Sequence, residues 1–198
     1  KQIETNESIE DEAYELLGQT DPNIQKFVKG LGLQNNRQSV QKVVPMIKNA
    51  PTTTLNPNQI PKLKNLANKG PADIQALKSI LQIQGKPEAP EKFAQIMQQR
   101  DRAEARNRGY DVSKLIDAIT TGTYEPPVIL KLPMGNFVIG GRTRLYAALA
   151  LNKPIKVKIL SATNEEAAGV GIVTKQNTTK DVNKKTLGKM MRALRLIK

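Results

Sequence analysis

The sequence predicts an α+β protein, and three observations carry that prediction. Residues 1–106 hold apolar side chains at helical spacing, cut into short lengths by Pro and Gly. Residues 107–174 change to short runs rich in Val, Ile and Leu, which read as strands around one helix. Residues 175–198 carry eight basic residues and one acid, with Leu187, Met190, Met191, Leu194 and Ile197 at helical spacing. The expected organisation is therefore a helical N-terminal extension with Pro/Gly-rich linkers, a small α/β domain and a basic C-terminal helix.

Within the extension, residues 1–18 read as an acidic amphipathic helix. Ser8 and Asp11 are placed as a capping box, and Ile9, Ala13, Leu16 and Leu17 share a face. Such a helix is either simply solvated or an arm that covers a basic surface or docks on another subunit. Pro22 opens a second helix, with Ile24, Phe27, Val28 and Leu31 on one side and Gly30 and Gly32 at its end. Residues 38–47 form a third, which Pro45 should bend or shorten. Residues 50–57 read as a Thr/Pro/Asn linker, with helices expected at 61–68, 72–83 and 90–106. No fixed period recurs, so these segments are not a repeat array. The alternating charges of residues 98–108 read as an exposed helix with local ion pairs, or as a surface for phosphates.

In the α/β part, Asp111 or Ser113 should cap a helix that Gly122 closes. Pro126 and Pro127 lead into a strand over 128–132, and residues 134–136 make a tight turn. Residues 136–139 form a second, buried strand, and a Leu/Ala-rich helix follows Gly140 and Gly141. Thr143 stands at the N-cap or first turn of that helix. Asn152, Lys153 and Pro154 break it, a third strand covers 155–159, and another helix is expected at 164–173. Phe137, Val138, Ile139, Ala148, Leu149, Val157 and Ile159 are the expected core. A strand ending in Gly-Gly at a helix N-terminus offers free backbone N–H groups at the positive end of the helix dipole. With Arg142 and Arg144 added, this turn makes a candidate anion site. Arg144 has a structural alternative, bonding to carbonyls at the end of the sheet.

Charge points to the partner class. Lys and Arg number 31 against 18 acids, a net +13. Six acids fall in the first fifteen residues beside Lys1, which leaves 30 basic and 12 acidic residues in the remainder. That balance favours polyanions, nucleic acid first, with acidic proteins or membrane surfaces behind. Lys175, Lys180, Lys184, Lys185, Lys189, Arg192 and Arg195 are the candidate nucleic-acid contacts of the tail. Aromatic residues are 4% and Trp is absent, a poor composition for stacking single strands. With no Cys and no His, thiolate chemistry, disulfides and the usual zinc ligands and general base are excluded. No apolar run reaches the roughly 18 residues a membrane span needs, and no secretory signal is visible. The expected location is the cytoplasm or the interior of a virion, and Lys1 in place of Met is expected to follow either a cleavage or the boundary of an expressed piece.

Residues 111–160 resemble the ParB/sulfiredoxin superfamily. The likeness lies in a helix (113–119), a Pro-led strand (127–132), a strand ending in Gly (137–140), Gly141-Arg142-Thr143-Arg144 with Ala147-Ala148, and a closing strand (155–160). The resemblance covers about a quarter of the chain and implies phosphate or nucleotide binding at Gly140, Gly141, Arg142, Thr143 and Arg144. Sulfiredoxins carry a catalytic Cys in this turn, and its absence rules out their reductase activity. Arg142 stands where many ParB-type proteins have an acid, which favours plain phosphate contact over metal-assisted nucleotide chemistry. Residues 179–191 resemble segments of tailed-phage proteins.

Three functions follow as expectations. The first is a nucleic-acid-associated binding protein, with DNA favoured over RNA. The second is a metal-dependent nuclease or nucleotide hydrolase of the same superfamily, whose metal would need carboxylates. The nearby acids are Asp111, Asp117, Glu125, Glu165 and Glu166, and the last two are adjacent on a helix and so face different sites. The third is a structural component of a phage particle that binds neighbouring subunits. The sequence assigns no cofactor and no metal site.

Overall fold

A computed structural model describes residues 9–19, 21–30, 33–65, 70–106, 111–132 and 135–161. The expected helix at 164–173, the C-terminal helix and all seven basic residues named in it lie outside this set. The fold is α+β. Seven α-helices and one five-stranded mixed sheet stand among the described residues.

The helices begin where local chemistry allows. Helix α1 (Ile9–Leu17) carries Glu10, Asp11 and Glu12 in its first turn, where acids complement the helix dipole. Helices α2 (Pro22–Gly30) and α3 (Arg37–Lys48) follow. The Asn36 side chain accepts the Ser39 N–H at 2.9 Å and caps α3. Pro45 does not shorten α3, which continues to Lys48. The carbonyl that Pro45 leaves without a donor belongs to Gln41, and both residues are on the exposed side, where water serves.

Helices α4 (Pro71–Ile83) and α5 (Ala89–Ala103) come next, and α6 (Val112–Thr121) is capped by Asp111, which accepts the Ser113 and Lys114 N–H groups. Gly122, at φ 76°, closes α6. The last helix, α7 (Arg142–Ala150), starts directly after the central strand.

Two expectations about the first half are corrected. Residues 1–106 are not strand-free: Thr52–Leu55 form β1, within the expected linker, and Lys64–Asn65 form β2, within the expected helix 61–68. Between them, Pro57–Lys62 is a 3-10 helix. Pro61 has no N–H to donate to the carbonyl of Pro57, so an α-helix could not run regularly through it. The remaining strands are β3 (Val128–Leu132), β4 (Gly135–Gly140) and β5 (Ile155–Ser161).

The sheet order is β1-β5-β3-β4-β2, so both edges come from the first half of the chain. Strand β1 runs antiparallel to β5, β5 parallel to β3, β3 antiparallel to β4, and β2 parallel to β4. Side chains alternate across this sheet and build two cores. Val128, Leu130, Phe137, Ile139 and Leu160 pack under α1, α2 and α3. Ile129, Val138, Ile155 and Val157 pack under α4 to α7. Both cores join residues from before and after position 107, so the extension and the α/β part share their interiors and do not form separate units.

Of the expected core, six residues are buried and Ile159 is half-buried. On α2, Ile24 and Val28 are buried, while the Phe27 side chain and Leu31 lie outside the described set. No helix among the described residues is long and apolar enough to cross a membrane.

Candidate functional site

The candidate turn joins β4 to α7 at one end of the sheet. Gly141 has φ 85°, a left-handed conformation that glycine adopts without strain, and it is the N-cap of α7. A Cβ there would also lie 2.7 Å from the Cβ of Pro127. Thr143 is therefore a first-turn residue and not the cap. At Gly140 an added Cβ would stand 2.4 Å from Cγ of Glu12. The glycine makes room for a side chain that arrives from α1, 128 positions earlier.

Glu12 and Arg144 form a buried pair. Each side chain is 2% exposed, and Nη2 of Arg144 donates to Oε1 of Glu12 at 3.4 Å. Nη1 of Arg144 donates to the carbonyl oxygen of Glu125, and its Nε has no partner. The expected phosphate ligand and the structural alternative thus meet in one residue. Arg144 bonds a carbonyl beside the sheet end and holds an anion, and that anion is the protein's own carboxylate.

On the side of α4 and α5 stands a second charged group. Asp73 of α4 lies 3.7 Å from Nη1 of Arg100 and 3.7 Å from Nη1 of Arg142. Its other oxygen accepts the Tyr146 hydroxyl at 2.8 Å. Arg100 of α5 also pairs with Asp101 at 3.1 Å and donates to Oγ1 of Thr143 at 3.4 Å. Asp73 and Arg100 are each 2% exposed, whereas Arg142 keeps 21%. Burial first, and the adjacent Asp73 charge and hydrogen bond after it, push the Tyr146 hydroxyl well above the usual tyrosine range. Buried charges survive only with partners at hand, and here three carboxylates accompany three arginines around one helix start.

All five expected residues, 140 to 144, are brought together at this turn. The acids weighed for a metal are not: Asp111 caps α6, Asp117 is exposed on α6, and Glu125 lies 3.4 Å from Nζ of Lys158. Glu165 and Glu166 lie outside the described residues. No group of three or more acidic side chains stands close enough to hold a metal among the described residues.

Sequence reasoning missed Glu12, Asp73 and Arg100 at this site. Glu12 had one signal, its place at helical spacing beside Ile9, Ala13 and Leu16 in an otherwise apolar face. It also missed a feature of composition. Between Asp21 and Asp73 lie 51 residues with eight basic side chains and no acid. They build α2, α3, β1 and β2. Compared with known proteins, the chain matches no family model, no curated protein and no solved structure.

Proposed function

We propose that this chain is a nucleic-acid-associated binding protein whose β4–α7 turn is a ParB-like phosphate-binding element. The observation that carries the reading is the acid-free stretch, because its helix α3 turns only basic charge toward solvent. Helix α3 contains no acid and exposes Arg37, Lys42 and Lys48, and α2, which packs into the same core, exposes Lys29. Arg37 and Lys48 stand roughly 16 Å apart along the helix axis, at a rise of about 1.5 Å per residue. That span reaches several phosphates of a duplex strand. Low aromatic content favours a duplex over a stacked single strand. The basic tail would add phosphate contacts, and DNA is the favoured polymer. Binding without catalysis fits a turn whose arginines and carboxylates neutralise one another. The cytoplasm or a virion interior is the location this reading implies.

The test is a salt titration of duplex DNA binding. Affinity should fall linearly on a log–log plot, with about 0.9 of slope for each phosphate neutralised. Replacing Arg37, Lys42 and Lys48 together by Gln should lower the slope by roughly two to three units. A slope that the triple variant leaves unchanged, or no binding even at low salt, would overturn the assignment.

A further inference from the structure

We infer that the start of α7 is an anion site whose resting occupant is Glu12, and that a phosphate group takes its place when α1 lifts away. This rests on the polyanion-binding reading and identifies what controls the turn. Four observations carry it. Gly140 is a seat shaped for a carboxylate: with a Cβ at 140, Oε1 of Glu12 would be 2.7 Å from it and could not stay. The first-turn N–H groups of α7 have no acceptor within the helix and point toward that end. Arg144 meets Glu12 through one nitrogen at 3.4 Å, and its buried Nε has no partner. A guanidinium matches two oxygens at once, so a phosphate can use donor capacity that Glu12 leaves idle.

The fourth observation is the size and charge of α1. It is nine residues long and buries Ala13, Leu16 and Leu17, with Ile9 packed against the same core. Its C-terminal end borders a cleft of about 630 Å³ between α1 and α2, floored by Leu16, Leu17, Val28 and Leu33. Glu12 belongs to the chain's acidic block, and α1 lies beside the acid-free helices α2 and α3. A phosphate that replaces Glu12 keeps Arg144 paired when α1 lifts. The acidic arm thus competes with the polyanion for the same turn.

The experiment uses the full chain, wild type and Glu12→Gln, titrated with inorganic pyrophosphate and with duplex DNA. Removing the resident charge should tighten binding on the order of tenfold or more, since the competent state is no longer a minor one. A gain with both probes assigns any phosphate to the site, and a gain with duplex alone assigns backbone phosphate. Amide exchange of residues 9–17 in the wild type should quicken when duplex is added, a readout that does not depend on the variant. Equal affinities for wild type and Glu12→Gln, or unchanged or slower exchange in α1, would overturn the inference. In that case salt-steep duplex binding would leave the polyanion reading standing, and absent binding would end both.

Discussion

The Glu12–Arg144 pair makes a quantitative demand on stability. Both side chains are 2% exposed, so removing one partner takes the facing counter-charge from a buried group. Breaking such a pair from one side costs about 3–5 kcal/mol, while replacing both charges by apolar groups of similar size is near neutral. Arg144→Met keeps the length of the side chain but takes the guanidinium from Glu12 and the donor from the Glu125 carbonyl. Arg144→Met and Glu12→Leu should each lower Tm by roughly 6–20 °C, at about 2–4 °C per kcal/mol for a chain of this size. The double variant should recover most of that loss. Thermal unfolding followed by circular dichroism gives all four corners of the cycle. If the two single losses simply add in the double variant, the pair is not coupled and the reasoning about the turn fails. If Arg144→Met alone melts within a degree of wild type, Arg144 is not clamped as described.

Two further outcomes probe the rest of the turn. Tyr146→Phe removes the 2.8 Å hydrogen bond to Asp73 and should cost roughly 1.5–3 kcal/mol at neutral pH, as for a bond to a charged acceptor. Because the Tyr146 value is raised in the folded state, its contribution is complete below about pH 10, the unfolded value, and is lost as pH rises through the folded one. Urea unfolding of wild type and variant should therefore show a gap that narrows above that pH, and a gap that widens would contradict the assignment. Gly141→Ala and Gly122→Ala both place a side chain at positive φ, about 1–3 kcal/mol each, but only position 141 adds a clash with Pro127. Gly141→Ala should be clearly the more destabilising in urea, and equal effects would show that Pro127 yields freely.

What the sequence determined by itself was the run of elements from Asp111 to Leu160. Its signals are local: Asp111 reaches N–H groups two and three residues on, Gly122 takes a positive φ, and Val, Ile and Leu cluster in short strands bounded by Pro and Gly. Such preferences act within a few residues and need no knowledge of the remainder of the chain. The edge strands were decided only by tertiary structure. Residues 52–55 have three exposed threonines and residues 64–65 are two polar side chains, so neither shows the alternation of a buried strand. They become strands because β5 and β4 present backbone groups that must be paired. The site divides the same way. Gly140 and Gly141 were legible as positions that need space and a positive φ, and Arg144 as a fixed charge. The filling of that space by Glu12, and the joining of Asp73 to Arg100, Arg142 and Tyr146, were not legible. These partners lie between 27 and 132 positions apart, and a charge carries no mark of its partner until folding removes both from water.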